Sequence, residues 1–294
     1  MDITLTGATG FIGRRLVAAL AGRGHRVAVL TRTPRPGASP RYIQWDGRTP
    51  PAIDADAVIH LAGEPVAQRW TAAAKQRILA SRVEGTRSIV AALAAAPRKP
   101  SVLISASAIG IYGDRGDERL TESSPPGAGF LAGVTTAWEA EARKAEELGI
   151  QVATMRIGIV LGADGGALAK MLPAFRAGLG GRIGAGRQWM SWVHIDDLIG
   201  LFIHALDRPL AGPINAVSPG PAVNAEFTRE LARSLSRPAL FPVPEFALRL
   251  MFGEMSQVLL ASQRVIPERA IKEGFRFRHE TLPEALRSLW ASQP

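Results

Sequence analysis

The stretch Thr6-Gly7-Ala8-Thr9-Gly10-Phe11-Ile12-Gly13 follows directly on the alternating segment Asp2 to Thr6. It runs into Ile12, Leu16, Ala19 and Leu20, spaced as one face of a helix that ends near Gly22 or Gly24. Glycines at such a junction let the chain turn sharply and bring its backbone close to a pyrophosphate at the helix amino end, where unpaired N–H groups point outward. The spacing here is G-x-x-G-x-x-G rather than the general dinucleotide fingerprint G-x-G-x-x-G, and taken alone it is also that of a tight turn. The strand before it and the helix after it favour phosphate binding. Arg26 to Leu30 then reads as a second buried strand, which completes a strand-helix-strand unit of about thirty residues, the size of a parallel crossover.

The alternation continues outward from this unit. Tyr42 to Trp45, Ala57 to Leu61, Val102 to Ser105 and Val152 to Arg156 read as strands, with helices at Ala72 to Ala96 and Ala137 to Leu148. The last helix carries Glu139 and Arg143 as an i,i+4 pair and stops at Gly149, a left-handed cap. This order predicts an α/β fold, a Rossmann-like doubly wound parallel sheet with a smaller C-terminal lobe. Regularity fades after Gly162, where GGRIGAGRQWMSWVHIDDL (180–198) is rich in glycine and aromatic residues. A helix from Asp196 to Leu206 and a strand from Pro213 to Val217 return to the sheet. Residues 1–162, with 195–217, are therefore assigned to the nucleotide-binding domain, and 163–194 with 218–294 to the smaller lobe. Asn224 reads as the cap of a helix to Leu235, Thr281 to Glu284 has capping-box spacing, and Pro34-Arg35-Pro36-Gly37 is a surface turn.

Composition removes whole classes of function. With 47% hydrophobic and 21% charged residues over 294 positions, the chain can bury a core and is not disordered. No apolar run approaches the ~18 residues that span a bilayer, and no signal-peptide pattern follows Met1-Asp2, so a cytoplasmic protein without a membrane partner is expected. Cysteine is absent and the five histidines form no HxxxH pair, so no metal is expected. The net charge of +9 (35 basic against 26 acidic residues) is spread along the chain, mostly as Arg, without the basic stripe of a nucleic-acid binder. Some of these arginines suit a phosphate-bearing small molecule instead.

Where the general fingerprint places a carboxylate for the adenosine ribose, strand two ends in Leu30-Thr31-Arg32-Thr33. An Arg without a carboxylate favours a 2'-phosphate, hence NADP(H) over NAD(H).

The chain resembles the extended short-chain dehydrogenase/reductases, and within them an atypical branch grouped with nucleoside-diphosphate-sugar epimerases that carries a distinct C-terminal module. The resemblance covers nearly the whole chain. It rests on TGATGFIG (6–13), LTR (30–32), HLAGE (60–64), RW and SRVEGT (69–70 and 81–86), SASAIGIYG (105–113), FLAGVTTAWE (130–139), RIGIVLG (156–162), WVHIDDL (192–198), NAEF (224–227) and SQRVIPERAIKEGFRF (262–277). It implies a cofactor held by Gly7, Thr9, Gly10, Phe11, Ile12, Gly13 and Arg32. Leu61, Ala62 and Gly63 would pass under that cofactor with their backbone, Arg82 would reach toward it, and Ser105, Ser107, Ile159 and Val160 would lie near the nicotinamide. These positions fall at the carboxyl ends of parallel strands, where open α/β sheets hold their ligands, although several would be plain core without a cofactor.

The family's acid/base chemistry uses a Tyr whose pKa is lowered by a Lys four residues on, together with a Ser and often an Asn. A phenol of pKa near ~10 needs that nearby positive charge to ionise at neutral pH. This chain has two tyrosines; four residues after Tyr42 stands Asp46, and four after Tyr112 stands Gly116. By resemblance, Val134 and Trp138 occupy the Tyr and Lys places, Arg82 the Asn place, and only Ser107 survives. Two readings follow. In one, the protein is an NADP-dependent oxidoreductase or nucleotide-sugar epimerase in which Ser107 orients the substrate oxygen and Tyr112 moves the proton, with Glu64 and Glu139 as alternatives that also have structural explanations. In the other, it is a non-catalytic NADPH-binding sensor or scaffold. Arg69, Trp70 and Lys75, with Arg182, Arg187, Trp189 and Trp192, suit an anionic, ring-containing substrate such as a nucleotide sugar, or else are core and surface residues. Asp196 and Asp197, just before a helix, are read as cap and first-turn charges, not as a catalytic cluster with His194. A homodimer through the long helices is the default for such a sheet.

Overall fold

The computed structural model describes residues 1–34, 37, 40–208 and 210–291, so Arg35 and Pro36 of the expected surface turn lie outside the described residues. The amino-terminal half runs β1 (Asp2–Thr6), α1 (Phe11–Gly22), β2 (Arg26–Thr31), β3 (Arg41–Gln44), β4 (Ala57–His60), α2 (Ala72–Ala95), β5 (Val102–Ala108), a short β6 (Arg119–Leu120), α3 (Phe130–Arg143) and β7 (Gln151–Ile157). It continues through β8 (Ile159–Leu161), α4 (Gly166–Arg176), β9 (Trp189–Met190), β10 (Trp192–His194), α5 (Ile195–Asp207), β11 (Gly212–Ala216) and β12 (Ala222–Val223). The carboxyl end adds α6 (Asn224–Ser234), α7 (Glu245–Phe252), α8 (Ser256–Leu260), β13 (Arg264–Val265), α9 (Glu268–Lys272) and α10 (Leu282–Ala291).

Seven strands form one parallel sheet in the order β11-β7-β5-β4-β1-β2-β3. Chain direction across the sheet reverses between β1 and β4, where such folds open a crevice at the strands' carboxyl ends. The central strands read as continuous apolar runs because both faces are covered. Ile3, Leu5, Ile59 and Ile104 pack with Leu16 and Leu20 of α1 and with α5. On the opposite face Leu30, Val58, Leu103 and Val152 pack with Ile89 and Leu93 of α2.

Several local readings are corrected by packing. Helix α3 begins at Phe130, not Ala137; Thr135 and Thr136 are accommodated because their hydroxyls donate to the carbonyls of Leu131 and Ala132. The stretch from Lys144 to Leu148 is 3₁₀, and Gly149 (φ 75°) ends it in the left-handed region. Helix α4 was hidden by its glycine start and by Pro173; burial of Leu168, Leu172 and Phe175 against Trp192 and Phe227 holds it. Asn224 is the first residue of α6 and not its cap: its Oδ1 accepts from the Ile183 N–H at 2.7 Å. The cap of α5 is His194, whose Nδ1 accepts from the Asp196 N–H, while buried Asp197 accepts from the N–H groups of Arg278 and His279. The carboxyl segment also reaches back to the main sheet, where Ala270 and Phe277 join the core beside α5 and β11.

Two buried polar arrangements tie the strand ends together. The first is at the centre of the sheet, where Thr6 faces His60 in register. Thr6 Oγ1 accepts from the N–H groups of Leu61 (3.0 Å) and Ala62 (3.1 Å) and shares a hydrogen bond of 2.8 Å with His60 Nδ1. His60 is completely buried against Trp45, and burial lowers its pKa to about 4. The second is built on Arg156, a charge inside β7. Its Nε and Nη2 donate to the two carboxylate oxygens of Glu139 at 2.8 and 2.9 Å, and its Nη1 donates to the Tyr112 hydroxyl and to the Glu122 carbonyl. The expected Glu139–Arg143 side-chain pair does not form, because Arg156 takes the carboxylate and Arg143 reaches only the Glu139 carbonyl.

Each arrangement generates a prediction. Between pH 6.5 and about 4 an unfolded His60 binds a proton that the folded one excludes. Stability is therefore full above pH 6.5 and falls by about 3 kcal/mol as the pH drops through that window. Denaturant unfolding should show this loss, and His60→Gln should flatten it; identical pH slopes in the two proteins would refute the assignment. Glu139→Gln leaves Arg156 buried without its counter-charge and should cost about 3–5 kcal/mol, read as a lowered denaturation midpoint; a loss below about 1 kcal/mol, the size expected of an exposed pair, would contradict the buried pairing.

Candidate functional site

The crevice is floored by the loop between β1 and α1. Gly7 has φ +71°, and a Cβ there would lie 2.8 Å from the Leu61 carbonyl carbon. A Cβ on Gly13 would lie 2.2 Å from the Gly7 carbonyl oxygen. Both positions therefore require glycine, the first for conformation and the second for the close approach of α1 to the turn. Gly10 offers no side-chain cap and the first turn of α1 holds no acidic residue, so the amino end of a twelve-residue helix is left open to an anion. Thr9 and Gly10 are exposed, and Ile12 is partly buried beside them.

Phe11, which the resemblance places at the cofactor, has its ring packed within the protein. Its ring sits in a cradle of Gly162, Gly165 and Gly166, where added Cβ atoms would approach to 2.4, 2.1 and 3.2 Å, and Arg15 lies over it at 4.7 Å. Only its backbone faces the anion-binding end of α1. Arg15 pairs with Asp164, which fastens the glycine loop to the segment after β8. Arg32 stands exposed just beyond β2, paired with none of the described residues.

Across the crevice, Leu61, Ala62 and Gly63 leave β4 with their backbone held by Thr6. Arg82 reaches beneath them from α2, 3.3 Å from where a Gly63 Cβ would stand. Both of its hydrogen bonds use Nη1, to the carbonyls of Glu64 (3.0 Å) and Ile78 (3.1 Å), and its guanidinium lies 5.0 Å from the ring centre of Trp138. Burial lowers its pKa to about 10, which leaves it cationic at neutral pH. A fixed positive charge thus sits beside Trp138.

At the end of β5, Ser105 is fully buried and donates to the neighbouring carbonyl of Ala106. Ser107 donates to Glu139 Oε1 at 2.6 Å. Because Ser107 donates to Glu139, its proton is committed there and the Oγ lone pairs are left for a ligand. Ile159 is half-buried and Val160 buried in β8, which pairs with β10.

Tyr112 is not placed to move a proton. Its ring is fully buried; the hydroxyl accepts from Arg156 and lies 2.6 Å from Asn215 Oδ1, and burial pushes its pKa above the usual phenol value. Glu64 is half-buried and accepts from the Gln68 side chain. Val134 and Trp138 are buried on α3. Of the residues expected on the substrate side, Trp70 packs on Phe130 and Trp192 is core. Lys75 pairs with Glu254, and Trp189 donates to Asp117 beneath Arg264. Arg69, Arg182 and Arg187 are exposed.

Sequence reasoning passed over Arg156, Thr6, Asn215 and the glycine cradle for Phe11. Arg156 did carry a signal: a charge inside a buried, largely apolar strand demands a buried partner.

A family model described as the NAD dependent epimerase/dehydratase family matches residues 3–218, and a domain of unknown function matches residues 243–289. An Arabidopsis thaliana relative, the chloroplastic homolog of epimerase family protein SDR39U1, is 40% identical over 98% of this chain and 86% of its own length. The crystal structure of human epimerase family protein SDR39U1 with NADPH superposes with a TM-score of 0.92 at 34% identity, covering both chains in full. A nucleoside-diphosphate sugar epimerase structure from Corynebacterium glutamicum gives 0.81 at 35% identity over all of this chain and 59% of the other. With the family model spanning most of the chain, and relatives this similar along nearly all of it, the protein belongs to the NAD-dependent epimerase/dehydratase family.

Proposed function

We propose that the protein binds NADP(H) in the crevice above the β1–α1 turn and acts as an oxidoreductase or epimerase on a hydroxyl-bearing, anionic small molecule of the nucleotide-sugar kind. The observation that carries this reading is the backbone cradle of Gly7, Gly13 and Leu61 at an uncapped helix amino end. The close backbone approach at Gly7 and Gly13 and the absent side-chain cap at Gly10 suit a pyrophosphate held by backbone N–H groups. NADPH in the human relative supports the choice of cofactor, and exposed Arg32 supplies a partner for a 2'-phosphate.

Bound in its oxidised form, the nicotinamide would take hydride from a carbinol carbon, the hydroxyl proton leaving along the Ser107–Glu139 hydrogen bond. The rest of the protein's part is positioning. Arg82, with Nη2 free of protein hydrogen bonds among the described residues, holds the ribose side of the crevice. Ser107, its own proton engaged by Glu139, accepts from the substrate hydroxyl and orients it. This polarity favours an alcohol over a carbonyl as the group first bound, because a carbonyl oxygen would need a donor. Arg69 and Arg187 are exposed cations available to substrate phosphates. A second reading, NADPH binding without turnover, is favoured by the buried Val134 and Trp138 and by the burial of Tyr112.

Calorimetric titration with NADPH and NADH should show a preference for NADPH. Arg32→Glu should weaken NADPH by about ten- to hundredfold, the size of one charged phosphate contact, and leave NADH nearly unchanged; equal NADPH affinity in the variant would remove Arg32 from the site. In a nicotinamide-absorbance screen of alcohols, carbonyls and nucleotide sugars, Ser107→Ala should abolish any turnover found while NADPH affinity stays within about threefold, under 1 kcal/mol. Undiminished activity would exclude Ser107, and the absence of turnover with tight NADPH binding would select the second reading.

A further inference from the structure

One face of the molecule has no role in this chemistry and is unlike the rest of the surface. The segments 178–184 and 238–245 run side by side: Ile183 bridges Val243, the Val243 N–H donates to the Arg182 carbonyl, and Gly181 abuts the Phe241 carbonyl. Helix α7 continues directly from the second of these. It buries Leu248 and presents Phe246, Leu250 and Met251 outward. With Leu179, Leu240 and Phe241 on the two paired segments, six large apolar side chains stand on this stretch, each more than half exposed and Leu250 77% exposed. Isolated exposed leucines are ordinary; six large apolar tips on two adjoining loops and the helix that follows are not.

The border of this stretch is basic. Leu240 shares a cavity of about 330 Å³ with Arg182, Arg229, Arg233 and Arg237. Arg249 stands on α7 itself. Facing these five arginines are two carboxylates: Glu230, between Arg229 and Arg233, and Glu245, 3.8 Å from Arg249. Apolar tips ringed by arginines are the arrangement by which a protein lies on an anionic bilayer, with the tips in the acyl boundary and the guanidiniums among the phosphates. Self-association fits less well. A two-fold contact places each patch on its own copy and brings the arginines against one another. Among the described residues no helix is long and apolar enough to cross a membrane, so attachment is to the surface only.

We propose that the face formed by Leu179, Arg182, Arg237, Leu240, Phe241 and α7 docks the protein on an anionic lipid surface. Half-buried Phe252 at the end of α7 packs with Trp70 and Val134, so the docked face adjoins the crevice wall.

The test is flotation of the full-length protein with phosphatidylcholine vesicles and with phosphatidylcholine–phosphatidylglycerol vesicles, at low and high salt. Binding is expected to the phosphatidylglycerol vesicles alone and to weaken as salt is added. Phe246→Ser with Leu250→Ser should reduce it about tenfold or more through lost apolar burial. Arg182→Ser with Arg237→Ser should reduce it about thirtyfold through two lost headgroup contacts. All four positions are exposed, so circular dichroism and the thermal midpoint should be unchanged. Failure to float with either vesicle, equal binding to both, or full binding by both double variants would overturn the proposal. So would a concentration-dependent dimer, seen in sedimentation without lipid, that Phe246→Ser with Leu250→Ser abolishes, because the patch would then be an interface between copies.

Discussion

The contact on which the rest of this structure depends is the approach of two backbones at the centre of the sheet. Gly7 turns out of β1 within van der Waals distance of the Leu61 peptide leaving β4, and Thr6 holds the two strand ends together through the N–H groups of Leu61 and Ala62. That approach sets the width of the crevice and aims the amino end of α1 into it. No side chain can stand there without forcing the strands apart. Buried His60 belongs to the same latch, and its desolvation couples the integrity of the cradle to its neutral form.

The second determinant is a buried charge. Arg156 enters the interior on β7 and takes Glu139 from α3, Tyr112 after β5 and the carbonyl of Glu122 as partners. A buried ion pair contributes little net stability over a well-packed apolar alternative, but it fixes geometry, since each partner has one satisfactory place. Here the fixed group is Ser107, which donates to the carboxylate that Arg156 holds in place. Arg82 lies against the Trp138 ring and keeps a second cation near the same helix.

Local pattern and tertiary packing divided the remaining decisions unevenly. The parallel strands were legible because burial on both faces makes each of them apolar, and the helices between because their apolar residues fall on one face. Helix α4 was not, because a glycine start and an internal proline argue against a helix that only contacts with Trp192 and Phe227 can hold. Asn224 looked like a cap by type and position, yet the neighbouring loop took its oxygen.

By itself the sequence determined the order of strands and helices, the glycine turn after the first strand and the absence of a Tyr-x-x-x-Lys, since each depends on residues near one another in the chain. Only the tertiary structure decided what Ser107, Glu139 and Tyr112 do. Their partners come from Arg156 and Asn215 on other strands, and hydrogen-bond direction and burial are set where those strands meet. The same holds for the exposed face of α7. Its residues are ordinary core types, and only their position in the fold shows that Leu248 alone is buried while Phe246 and Leu250 are left to the surface.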